Sequence, residues 1–255
     1  MTHQQILDKL DRGITESVTR DMCRLIGWQM LGKRQPDPVY IGNKFFERWD
    51  CALNASPDEV TEAYRNLLTL TITVLFHKYG YAYPNLTRKA IHAVDALNDA
   101  VVTSDAFFRQ SDNIKSFLQT TPVKLTKRPP EGRSVTFFRQ GDVVSVKYDH
   151  KYCAAYIHYN YHDNEAPVIE FYDRVFDRQP EYEQLVDAKA WGSAGQISRY
   201  CVFHMTDLKD RANQIHLIKA CAEPPSNEHL EKTIGHWTGS DIFEIQKIIK
   251  AVVTS

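Results

Sequence analysis

The stretch Gly141-Asp142-Val143-Val144-Ser145-Val146-Lys147-Tyr148, then Asp149-His150-Lys151, then Tyr152-Cys153-Ala154-Ala155-Tyr156-Ile157-His158-Tyr159-Asn160-Tyr161 divides the chain. Two runs rich in Val, Tyr and Ile alternate about a short polar turn, the pattern of a β-hairpin, and Gly-Asp marks the passage from loop to strand. Before it the apolar residues recur at helical spacing; after it short β-type runs dominate. The expected fold class is α+β: an N-terminal all-α helical domain over 1–120, a linker over 121–134, and a β-rich domain over 135–255. That β domain is expected to be mostly antiparallel, partly barrel-like and closed by a C-terminal helix.

In the helical part, Thr2 and Gln5 are placed as a capping box for a first helix over 2–12, ended by Gly13. Val18, Met22, Leu25, Ile26 and Met30 make the next helix, with Gly32 at its C′ position. Residues 33–42, with Pro36 and Pro38, read as a loop, and Phe45, Phe46, Trp49 and Leu53 as a two-turn packing helix. Ser56-Pro57-Asp58-Glu59 reads as the start of a long helix, with Ser as N-cap and Pro at N1, running to Tyr79 and stopped by Gly80. Helices over 85–102 and beyond Ser104 or Asp105 follow. Residues 120–134 carry three prolines and four basic residues in place of periodicity.

Beyond the hairpin, strands are expected around Val168–Tyr172, Ile197–Met205 and Gln214–Ala220, with a short segment at Thr233–Trp237. Ser240 is placed to cap a last helix, whose apolar stripe is Ile242, Ile245, Ile249 and Val252.

The 255 residues are 43% hydrophobic and 25% charged, with net charge −1, which excludes an attraction of the whole protein to nucleic acid or membrane. The distribution says more than the sum. Residues 163–187 hold Asp163, Glu165, Glu170, Asp173, Asp177, Glu181, Glu183 and Asp187 against only Arg174 and Arg178. Seven of the thirteen tyrosines fall between Tyr148 and Tyr182. Tyrosine gives contact area at little cost in rotamer entropy, and a field of carboxylates steers a basic partner while repelling phosphates. A solvated loop beside a Tyr-rich sheet explains the same residues, because tyrosine is a good strand former. The candidate partner-binding residues are Tyr159, Tyr161, Asp163, Glu165, Asp173, Asp177 and Glu181.

Cysteines at 23, 51, 153, 201 and 221 are widely spaced and odd in number, with no Cys-x-x-Cys pair, so they read as reduced thiols. The N-terminus lacks the basic start and apolar run of a signal peptide, and no apolar stretch reaches the roughly 18 residues of a membrane span, so a cytoplasmic location is expected.

Catalytic motifs fail their spacing tests. Trp191-Gly192-Ser193-Ala194-Gly195 is not a Gly-x-Ser-x-Gly elbow, Gly32-Lys33 lacks the earlier Gly and the hydroxyl of a P-loop, and Glu170-Phe171-Tyr172 lacks the lysine of a restriction-type nuclease. Two enzyme readings stay open, beside that of a structural or regulatory interaction module. His158 and His162, with His150 and Asp163, could form an N/O metal site of a hydrolase, although a hairpin edge carries such residues without a metal. Arg88 and His92, with Asp95, resemble the Arg-His pair of helical ribonucleases; a salt-bridged helix face accounts for them equally. No cofactor is expected.

The hairpin also carries a family likeness, in Gly141-Asp142-Val143-Val144, Val146, the Asp149–Lys151 turn and Tyr152-Cys153-Ala154-Ala155-Tyr156-Ile157. In these residues the chain resembles the bacterial polymorphic-toxin immunity family numbered twenty-six, over about 138–238 and ending near Ile234-Gly235-His236-Trp237. It departs from that pattern in carrying a helical domain in front. The resemblance implies a non-enzymatic antidote that binds and blocks a cognate protein toxin, a basic one given the acidic stretch, with no catalytic residues.

Overall fold

Residues 1–31, 36–232 and 237–255 are described by the structure, a computed structural model. The expected helix stop at Gly32 and most of the segment at 233–237 lie outside the described residues. The fold is α+β, and the chain divides into two compact units: Met1–Phe45 with Leu53–Gly132, and Phe46–Ala52 with Arg133–Ser255.

The first unit is helical, and several of its helices begin where a side chain accepts an orphan N–H. The Thr2–Gln5 box is present and opens α1 (His3–Leu7). Gly13 does not end that helix. Asp11 accepts from Ile14 N at 2.8 Å and starts α2 (Arg12–Gln29), so Gly13 falls in its first turn. The expected loop over 33–42 is likewise cut short, because Pro38 is the first residue of α3 (Pro38–Leu53). Proline has no N–H to lose there and its φ suits the first turn, while Asp37 Oδ1 accepts from Val39 N at 2.9 Å. Phe45 and Trp49 of α3 are buried.

Ser56 to Glu59 forms one turn rather than the start of α4. Glu59 N and Val60 N both donate to the Ser56 carbonyl, and Arg65 Nη2 holds the turn as a separate element through the Ala55 carbonyl at 2.7 Å. Thr61 then caps α4 (Glu62–Lys78), accepting from Tyr64 N at 3.2 Å. Every residue from Leu68 to His77 is buried, which makes α4 the axis of this unit. Gly80 stops it as expected: at φ +89° it sits in the left-handed region, and Tyr81 N bonds to Phe76 O while Gly80 N bonds to His77 O.

Helix α5 (Pro84–Asp99) ends in the same pair of bonds, Val102 N to Leu97 O and Val101 N to Asn98 O, but with Val101 in the glycine position at φ +52°. Ser104 caps α6 (Asp105–Phe108), and α7 (Ser111–Leu118) follows. Residues 121–132 carry no helix or strand and pack on the helices: the Val123 carbonyl lies over Gly80, and the Glu131 carboxylate over Gly27.

The second unit is built on a curled seven-stranded sheet of order β7-β8-β1-β2-β3-β6-β9. Its strands are β1 (Val143–Tyr148), β2 (Lys151–His162), β3 (Glu165–Phe176), β6 (Arg199–Phe203), β7 (Lys209–Asp210), β8 (Ile215–Lys219) and β9 (Thr238–Asp241). All neighbours are antiparallel except β6 and β9. A separate small hairpin joins β4 (Gly192–Ser193) to β5 (Gln196–Ile197). The organising hairpin is β1–β2, with Tyr148 opposite Lys151 and the turn reduced to Asp149-His150.

Two expectations change here. The strand foreseen at 168–172 extends over Glu165–Phe176, so the acidic stretch is half strand and β2 passes into β3 through Asp163-Asn164 alone. Acids at solvent-facing strand positions keep their hydration, so a run of charge does not mark a loop. Ser240 lies in β9, not at a helix cap; Asp241 Oδ1 instead accepts from Phe243 N (2.8 Å) and Glu244 N (2.9 Å) before α8 (Ile245–Thr254). Ile242, Ile245, Ile249 and Val252 are buried as foreseen, and α8 lies across β1, β2 and β3.

Residues Phe46–Ala52 of α3 belong to this second unit through buried polar contacts. Arg48 Nη1 donates to Asp210 Oδ2 at 2.9 Å, with the two side chains 4% and 9% exposed, and the guanidinium lies 5.6 Å from the Phe243 ring centre. Cys51 Sγ donates to the Ala212 carbonyl at 2.6 Å; burial first, then the nearby Asp210 charge, pushes that thiol up to about 12.

Candidate functional site

The β2–β3 hairpin carries five of the seven candidate partner-binding residues, and the length of its strands decides which can act together. At one end, His162 pairs with Glu165 around the Asp163-Asn164 turn, and Asn164 takes φ +56°. Tyr159 lies opposite Val168 and is 36% exposed; Tyr161 is 45% exposed, its ring 4.4 Å from His162 and 4.6 Å from Trp237. Asp163 is exposed and Glu165 half-buried. Tyr159 and Tyr161 lie on one face of this hairpin end and Glu165, opposite His162, on the other, with Asp163 in the turn that joins them.

Asp173, Asp177 and Glu181 lie elsewhere. Glu165 to Asp173 is eight strand positions, about 26 Å at ~3.3 Å per residue, near the roughly 30 Å width of a standard 800 Å² interface patch, and Asp177 and Glu181 follow the far end of the strand. Each of the three also has local work. Asp173 Oδ1 accepts from Lys189 N at 3.0 Å, tying down the chain that follows β3. Asp177 pairs with Lys151, whose hydrogen bond and charge hold that carboxyl below its ordinary value. Glu181 and Gln184 form a capping box on the single 3-10 turn Tyr182–Leu185.

Between the two ends lies a buried cluster that spacing did not announce. A bulge between Ile157 and Tyr159 leaves His158 with no direct partner on β3 and beside Glu170, which has no exposed side-chain surface. His158 Nε2 is 2.5 Å from Glu170 Oε2, Asn227 Nδ2 donates to Oε1 at 3.3 Å, and Arg199 Nε lies 3.5 Å from Oε2. Tyr156 stands opposite Glu170, its ring edge-on to His158 at 4.9 Å. Burial pushes the Glu170 carboxyl up, but the His158 hydrogen bond, the Arg199 and His158 charges and the Asn227 amide outweigh it and hold it below its ordinary value. The carboxylate thus fastens β2, β3, β6 and the segment around Asn227 together. Only the register and the bulge bring these residues side by side, so no sequence signal short of the strand pairing could have found them.

The metal-site residues are not gathered. His158 turns to Glu170, His162 stacks on Tyr161, and His150 stands beside Asp149 in the β1–β2 turn, at the far end of β2. Among the described residues no group of three or more His, Cys, Asp or Glu could hold a metal ion. Arg88 and His92 lie exposed on α5, and the Asp95 carboxylate expected with them is held by Lys115 at 2.8 Å. Among the described residues no helix is long and apolar enough to cross a membrane.

No family model, curated protein or solved structure matches this chain.

Proposed function

We propose that the chain is a cytoplasmic, non-enzymatic immunity protein that binds and neutralises a basic protein toxin, and that its contact surface is the end of the β2–β3 hairpin. One observation carries the reading: two half-exposed tyrosines, Tyr159 and Tyr161, share an exposed strand end with Asp163 and Glu165. Aromatic anchors beside carboxylates suit a cationic protein surface, the rings supplying contact area and the acids a fast, steered encounter. Asp173, Asp177 and Glu181 are exposed, each with a local partner, and extend the acidic field along β3 and beyond it.

The test is co-purification with the protein encoded by the adjacent gene, followed by binding kinetics. Asp163→Lys with Glu165→Lys is expected to slow association at least tenfold at low salt, and Tyr161→Ala to weaken Kd by about thirtyfold, the effect of a hot-spot residue. Asp173→Lys, which changes charge on β3 away from the turn, should slow association by less than the double change at Asp163 and Glu165. A complex indifferent to the hairpin-end changes, or failure to protect cells against that toxin, refutes the reading.

A further inference from the structure

We propose that the groove between α1 and the α6–α7 pair is a binding site for a compact oxyanion bearing two or more negative charges. The groove is open to solvent and has a volume of about 780 Å³. Two cations line it, Lys9 from the α1–α2 connection and Arg109 just after α6, and none of its lining residues is Asp or Glu. The Lys9 ammonium makes no ion pair among the described residues, and Arg109 has only a 4.0 Å approach to Asp105, with both side chains exposed. Such an exposed pair stabilises little and leaves the guanidinium available.

The polar wall offers donors beside the two cations. Asn113 Nδ2 donates to Gln110 Oε1 at 2.9 Å, so the Gln110 amide has its oxygen engaged and its NH2 free, and the Ser116 hydroxyl adds a further donor. Phe117, also in the lining, is fixed between the His3 and His77 rings, at 4.9 and 5.1 Å. Two cations and amide or hydroxyl donors around a fixed ring suit phosphate or carboxylate oxygens.

Phosphate-bearing and polycarboxylate ligands share this chemistry, and titration of the full chain separates them. Inorganic pyrophosphate and citrate are added in parallel to the isotopically labelled protein, with sodium chloride at matched ionic strength as reference. Saturable amide shifts at Ser116, Phe117 and Thr120 are expected with pyrophosphate, with citrate or with both, but not with chloride. The pattern assigns the ligand class. Lys9→Gln and Arg109→Gln, both at solvent-accessible positions, should each weaken the binding about tenfold. No saturation by 10 mM of either anion, on the order of the weakest specific affinities, overturns the proposal. So does binding that both variants leave intact.

Discussion

Lowering the pH from 7 to 5 is expected to loosen α1 through the pair His3–His77. His3 Nε2 lies 2.8 Å from His77 Nδ1, and His77 Nε2 lies 2.9 Å from the Thr120 carbonyl. A carbonyl can only accept, so His77 carries its proton on Nε2 and takes the His3 proton at Nδ1, a chain that fixes both rings in neutral tautomers. Burial, the facing His77 and the nearby Lys78 lower His3 from 6.5 to about 4. A histidine whose folded pKa is depressed contributes stability that is complete above its unfolded value and is lost as pH falls from 6.5 towards 4. At 1.36 kcal/mol per pKa unit, the descent to pH 5 corresponds to about 2 kcal/mol at full strength, and solvent screening of a half-buried ring reduces it to about 1 kcal/mol. Amide hydrogen exchange across α1 and the C-terminal turn of α4 reads this directly, as roughly fivefold lower protection at pH 5 after correction for intrinsic rates. The His3→Gln variant keeps a donor towards His77 without the titration, so its protection should stay constant over the same interval. Equal pH dependence in the two proteins would refute the reasoning.

Two further outcomes test the fold. Val101→Gly should raise stability by about 1 kcal/mol in a denaturant titration, because a β-branched residue 84% exposed at φ +52° gives up little packing and relieves a left-handed strain; a loss of stability would contradict the turn geometry. Glu170→Gln leaves Arg199 and His158 facing a neutral amide and should lower the denaturant midpoint by the equivalent of roughly 3 kcal/mol. Because the wild-type carboxyl sits below its ordinary value, its contribution is present at neutral pH and lost as pH falls through that lowered value, so the variant should also show a shallower acid-denaturation limb.

Local signals were legible wherever the residues that close a motif lie within one turn. The Thr2–Gln5 box, the Gly80 stop, the β1–β2 turn and the α8 stripe depend on neighbours at most a few positions apart, and each stands where its spacing puts it. Ser56 misleads because Ser-Pro-x-Glu closes a single turn as readily as a helix, and the decision falls to Thr61 and to Arg65, which reaches back to the Ala55 carbonyl. The candidate contact residues illustrate another limit. Within one 23-residue span Tyr159 and Glu181 look like parts of one feature, but Tyr159 lies near the Asp163-Asn164 turn and Glu181 follows the other end of β3. The Glu170 cluster is the converse case: Asn227 is 57 positions away in sequence and within hydrogen-bonding distance in space.

The pairing of Arg48 with Asp210 sets an order of events on the ribosome. The two residues are separated by 162 positions, so the guanidinium emerges long before the carboxylate that will receive it. A fragment beginning at Arg133 lacks the counter-charge of the buried Asp210 and is expected to be less stable than the unit that includes Phe46–Ala52.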